Sequence, residues 1–265
     1  MVAIDPIRRR RRNGYWATRA RVWPALFFRD SPGHAGEHIL LGLVKRVIEP
    51  AIMVMATVAM SWLINRSSPY GPSILLWSCT GVAPIFLFVH ISKYVCKGNS
   101  TRAPGVSDID HVLVTFFIEF LFVSISIAGL FTALYLFETR EAYPHSFWIL
   151  TKSTVTVGLF AFGVGLVSRT LCRLFPLYDM LYPAINRMWL HMSGVYFVVD
   201  RLPPEIRYYL SFNPLIHAVT WFRLAFFPTF PSHTFSLNYF LTCTAVLLVV
   251  GFATEAALGD RVKEV

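Results

Sequence analysis

Residues 193–223, SGVYFVVDRLPPEIRYYLSFNPLIHAVTWFR, decide how the rest of the chain is read. A long apolar run breaks here at Pro203, Pro204 and Pro214 and at the charged residues Asp200, Arg201, Glu205, Arg207 and Arg223. Between the breaks, Tyr208, Tyr209, Leu210, Phe212, Trp221 and Phe222 keep the stretch too apolar for a free aqueous loop. Proline cannot donate a backbone hydrogen bond, and the residue before it is biased away from helix. The pattern predicts two short helices, over roughly residues 200–231, that dip into a membrane and return to the same face. Irregular backbone at that depth is tolerated only where protein or a water-filled cavity satisfies it.

Working outward, the whole chain is built for a bilayer. Its 265 residues are 55 % hydrophobic and 15 % charged, with a mean hydropathy of +0.54. That leaves too little polar surface for a water-soluble globule of this length. A bilayer core needs roughly 20 apolar residues per helix, and six segments qualify: 47–65, 74–91, 112–137, 147–167, 174–199 and 237–254. The expected fold is an all-α integral membrane protein with six transmembrane helices. An amphipathic interfacial helix precedes them, and the re-entrant hairpin joins spans five and six. Residues 1–37 form a basic tail, and residues 38–265 form the membrane domain.

Lysine and arginine set the expected orientation. With both termini cytoplasmic, seventeen of them fall on the inner side and five on the outer side, which satisfies the positive-inside bias. The arginine run at residues 8–12 is read as a topogenic, lipid-attracting segment rather than a nucleic-acid site. No apolar stretch follows it as a signal peptide would require. Beyond it, residues 38–47 place apolar side chains at 39, 40, 43, 44 and 47 beside Lys45 and Arg46, which suits a helix in the inner interface. A continuous extension of span one fits the same residues.

Charges inside the spans are costly and mark function or a pairing partner. Glu49, Glu119, Lys152, Asp179, Arg187 and His191 are such residues, whereas the sixth span carries none before Glu255. Arg187 and His191 share a helical face at i and i+4; Arg187 is expected to pair with Glu119 or Glu49, or to meet an acidic ligand. Cys79, Cys96, Cys172 and Cys243 are isolated in sequence, with no metal-ligand or disulfide spacing. The eight histidines show no zinc motif, and no phosphate-binding GxxxxGK[ST] loop occurs. If ATP drives this protein, another polypeptide hydrolyses it.

The order of several short signatures then resembles one family. Phe28-Arg29 precedes Glu49-Pro50; Gly81-Val82-Ala83-Pro84 and Phe86 to Phe88 lie in span two; Pro104, Val106 and Asp110 lead to Glu119. Arg187, Ser193-Gly194, Leu202-Pro203, Asn213-Pro214-Leu215, His217 and Arg223 complete the series. Together they resemble the permease subunits of ABC-2-type exporters that move capsular polysaccharide and related cell-surface glycans across a bacterial inner membrane. Thr115 and Thr220 stand where that family often has an arginine and an acidic residue, so no charge pairing is carried over there.

The resemblance implies a homodimer around one channel, a separate nucleotide-binding ATPase subunit carrying ATP and magnesium, and no cofactor on this chain. It also implies a polysaccharide substrate, lipid-linked, and periplasmic export proteins as further partners. Residues 94–110 become the coupling loop, with Lys97, Arg102, Asp108 and Asp110 facing the ATPase. Trp62, Arg187, Trp189, His191, Tyr196 and Phe197 are the expected channel or substrate contacts, because aromatic faces give sliding contact without a fixed hydrogen-bond register. Pro203, Asn213, Pro214, His217 and Arg223 are the expected periplasmic gate, with Asn213 capping its second helix. Two other functions remain open from the residues: an ABC-2-type permease for a lipid or small molecule, and a membrane-embedded glycan-modifying enzyme.

Overall fold

A computed structural model of the chain describes residues 23–24, 39–63, 68–71, 73–97, 108–137 and 140–258. Among them every regular element is helical: α1 (Ile39–Leu63), α2 (Ile74–Lys97), α3 (Asp108–Phe137), α4 (Phe147–Leu174), α5 (Pro176–Met192), α6 (Pro204–Leu210), α7 (Pro214–Leu224) and α8 (Leu237–Leu258). Short 3-10 turns stand at Arg140–Ala142 and Val199–Arg201. Four helices, α2, α3, α4 and α8, are long and apolar enough to cross a membrane, and the apolar part of α1, Val47–Leu63, is shorter. The protein is therefore an all-helical integral membrane protein.

Helix α2 is the centre of the bundle. It packs on α1, α3, α4 and α7, and Leu76, Val82, Ala83, Ile85, Ile91 and Val95 are fully enclosed. Lipid offers apolar helices no hydrophobic drive to associate, so close van der Waals packing over small residues must hold them. Gly165 of α4 meets that need: a Cβ there would lie 2.7 Å from Val95 Cβ of α2. Gly158, one heptad earlier, accommodates Phe120 of α3 in the same way. On the other side of α4, α8 approaches over Gly163 and Gly251.

Three expected boundaries change. First, α1 runs without interruption through Pro50, so residues 39–47 are its first turns and not a separate interfacial helix. Second, α4 extends to Leu174 rather than ending at 167. The polar run Ser168–Arg173 reads as a loop in sequence, but Arg173 Nη1 lies 3.2 Å and Arg169 Nε 3.5 Å from the buried Glu255 carboxylate of α8, so the helix continues. Third, the fifth segment is helical over Pro176–Met192, 17 residues in place of the 174–199 span. Phe175 adopts extended backbone ahead of Pro176, which sits in the first turn of α5 where its missing N–H costs nothing.

Candidate functional site

The hairpin between α5 and α8 is the most extensively cross-tied part of the chain, and one side chain anchors it. Arg223, on α7, is 2 % exposed. Its Nη1 donates to the Gly194 carbonyl at 2.8 Å and its Nη2 to the Val195 carbonyl at 2.9 Å. The guanidinium lies 3.5 Å from the centre of the Trp77 ring on α2. A rigid planar fork can satisfy two successive carbonyls and stack on an indole at once, which a lysine cannot do. Gly81, one turn beyond Trp77, leaves the space: a Cβ there would sit 2.7 Å from Nη2. Gly194 adopts φ +77°, a left-handed conformation that turns both carbonyls out of the α5 helix.

Further ties fix the hairpin along its length. Asn213 occupies the N-cap of α7, its Oδ1 accepting from Leu215 N at 3.0 Å while Nδ2 donates to the Met192 carbonyl at 2.9 Å. It therefore joins the end of α5 to the start of α7. His217 is buried; its Nδ1 accepts from Ser236 N at 3.1 Å, which leaves Nε2–H to donate to the Ser211 carbonyl at 2.8 Å. Burial pushes this imidazole below its ordinary pKa, only partly opposed by the Ser211 bond. Asp200 accepts from His233 N at 2.8 Å, from Thr234 N at 3.0 Å and from the Thr234 hydroxyl. Arg201 Nη1 donates to the Pro69 carbonyl at 2.8 Å, and the Tyr70 hydroxyl donates to Thr229 O at 2.7 Å, so residues 68–71 are tied in as well.

The expected coupling residues divide. Lys97 is exposed in the last turn of α2. Asp108 and Asp110 lie in the first turn of α3 rather than in a loop, where carboxylates favour the positive end of the helix. Asp110 is 5 % exposed and accepts from Trp23 Nε1 at 3.4 Å. Arg102 lies outside the described residues, as do residues 98–107; residues 94–97 are helical. The basic tail, residues 1–37, lies outside them too, apart from 23–24.

Of the intramembrane charges, Glu49 is 3.3 Å from His90 Nε2 on α2, and Glu119 is buried on α3. The side chain of Arg187 is outside the described residues. The Arg169–Glu255–Arg173 cluster links α4 to α8 and is not legible in sequence, because Glu255 lies more than 80 residues from either arginine. Among the expected contacts, His191 stacks on Tyr196 with ring centres 5.7 Å apart. Trp62 is 77 % exposed on α1, whereas Trp189 and Tyr196 pack against the core; Phe197 is half-buried, Pro203 sits at the N-cap of α6, and Pro214 opens α7. Tyr208, Tyr209 and Phe212 form an exposed aromatic cluster on and beside α6. An apolar cavity of about 390 Å³, lined by Ile127, Phe131, Tyr135, Phe147, Phe222 and Phe226 among others, includes none of the expected contacts. Its lining suits hydrocarbon rather than a hydrated sugar.

No protein-family model matches the chain. Curated relatives match it almost end to end. It is 24 % identical over 261 residues to the capsule polysaccharide export inner-membrane protein CtrC of Neisseria meningitidis serogroup B, covering 95 % of this chain and 97 % of that one. It is 26 % identical over 250 residues to the polysialic acid transport protein KpsM of Escherichia coli, covering 91 % and 95 %. The capsule polysaccharide export inner-membrane protein BexB of Haemophilus influenzae aligns at 22 % identity over 241 residues, covering 89 % and 90 %.

Proposed function

We propose that this chain, kin along nearly its whole length to the capsule polysaccharide export inner-membrane proteins, is the permease subunit that moves a capsular or related cell-surface polysaccharide across the inner membrane. The relatives span the same length as this chain, so the kinship covers the membrane domain and the hairpin together. The observation that carries the mechanism is the anchored hairpin. A polymer too long for an enclosed cavity must thread a continuous path, and the outer end of such a path needs a stable element that does not collapse into the bilayer. Arg223, Asn213, His217 and Asp200 hold one in place with bonds to backbone groups at the end of α5 and in the segment between α7 and α8.

On this reading α1 and α5 complete a six-span subunit with both termini cytoplasmic. The segment 200–231 re-enters from the periplasmic side as the gate. Two copies enclose the channel, and each binds a separate ATPase through residues 94–110. Asp108, part-exposed at the inner end of α3, then presents its negative charge to that subunit, while Asp110 is buried beneath it against Trp23. This chain does no catalysis; ATP and magnesium belong to the partner. The aromatic contacts Trp62, Trp189, Tyr196 and Phe197, with His191 and Arg187, would meet the glycan.

Purification in mild detergent from cells carrying the neighbouring export genes tests the reading. The expected result is a complex of two permeases and two ATPases. A monomer without an ATPase, transporting glycan unaided, would overturn it. Replacing the part-exposed Asp108 by lysine should uncouple ATP hydrolysis from transport while leaving membrane insertion intact.

A further inference from the structure

Cys96 and Cys172 are 76 positions apart in sequence, yet the fold places their sulfurs 3.3 Å from one another. The contact continues a seam. Along α2 and α4, Gly165 meets Val95, Arg169 Nη1 donates to the Val95 carbonyl at 3.4 Å, and Cys172 meets Cys96 about one turn further on. The helices are in contact at Gly165 and Val95 beside the pair, so the two sulfurs meet within a packed seam. Bonded sulfurs stand about 2.05 Å apart. Both thiols are free, and the two differ in access: Cys96 is 5 % exposed, whereas Cys172 is half-exposed.

We propose that Cys96 and Cys172 form a dithiol site that a hydroperoxide converts to a reversible disulfide, stapling α2 to α4. The asymmetry in access fixes the order of events. The Cys172 thiol attacks the peroxide oxygen, its proton passing to the departing alkoxide or hydroxide, which gives a sulfenic acid and one alcohol or water. The Cys96 thiol then attacks Sγ of Cys172, the S–S bond forms, and the departing hydroxide takes the Cys96 proton and leaves as water. Two thiols and one hydroperoxide thus give one disulfide, one alcohol or water, and one further water. A thiol reductant reverses the step by exchange. Where the chain has the orientation proposed above, both sulfurs face the cytoplasmic side, and the resting form is the dithiol.

The test reads the chemistry without transport, so it is independent of the proposed function. The full chain in lipid nanodiscs is treated with hydrogen peroxide, alkylated, digested and examined by mass spectrometry. The expected result is a Cys96–Cys172 linked peptide with Cys79 and Cys243 still alkylated, and recovery of both thiols after reductant. Cys96→Ser should stop at a Cys172 sulfenic acid that dimedone traps, and Cys172→Ser should give no intramolecular disulfide. Phenylarsine oxide, which loses its oxygen as water when two thiols bind its arsenic, should bind one per chain and fail with either serine variant. Peroxide treatment that leaves Cys96 and Cys172 separately alkylatable, or arsenic binding unchanged in both serine variants, would overturn the proposal.

Discussion

Replacing Arg223 by methionine keeps much of the side-chain volume and removes the fork. Two charge-assisted hydrogen bonds to carbonyls are lost, each worth about 1.5–3 kcal/mol, together with a desolvated cation–π contact of about 2 kcal/mol. Relief from burying a charge returns several kcal/mol of that, so a net cost of about 2–4 kcal/mol is expected. The Gly194 and Val195 carbonyls are left without the guanidinium, and the loss falls on the junction of the hairpin with α2. Arg223→Lys keeps the charge but cannot serve both carbonyls and the Trp77 face, and it should lie between methionine and the parent. Thermal unfolding in nanodiscs gives the stability, and protease cleavage near Tyr208 and Tyr209 gives the hairpin's attachment. The expected outcome is a lower midpoint and faster cleavage in the order methionine, lysine, parent. Unchanged cleavage in Arg223→Met would refute the assignment of Arg223 as the anchor, because its guanidinium is what bonds the Gly194 carbonyl and covers the Trp77 ring together.

Asn213→Ala removes the cap of α7 and its bond to Met192, and thermal unfolding should show a loss of about 1 kcal/mol. His217 gives a pH signature. Its folded-state pKa lies below the ordinary value of about 6.5, so the unfolded chain binds more protons. The stability it contributes is intact above that pH and declines as pH falls towards the folded value; comparing melting at pH 7.5 and 5.5 (assay conditions, roughly one unit either side of that value) should show a hairpin loosening that His217→Gln abolishes. Gly165→Ala drives a methyl into Val95 and should cost about 1–3 kcal/mol in unfolding. Gly129→Ala, with open space around it, should be near neutral in the same assay.

The sequence displayed whatever depends on neighbours along the chain. Prolines 203, 204 and 214 pointed to two short helices within residues 200–231, where α6 and α7 lie, since proline acts on its own and the preceding residue's backbone. Asn213 before Pro214 marked a cap for the same local reason. Contacts between distant residues left no trace. Arg223 stood out as a member of the expected gate, but its partners did not, because Trp77 and Gly81, which receive it, are some 140 positions away on α2. Arg169 and Arg173 resembled loop residues because their carboxylate partner, Glu255, lies on α8. The separation of Cys96 from Cys172 hid their contact in the same way. Residues 39–47 continue into span one through Pro50, because one missing N–H donor does not stop a helix whose other backbone groups pair internally.

The most direct test of the permease role is transport itself. The chain and the ATPase proposed to partner it are reconstituted into vesicles with the ATPase outside, and a lipid-linked capsular polysaccharide is supplied on the same side. The expected result is ATP-dependent protection of the glycan from an added glycosidase, absent when this chain is omitted. Vigorous ATP hydrolysis with the glycan remaining fully digestible would contradict it.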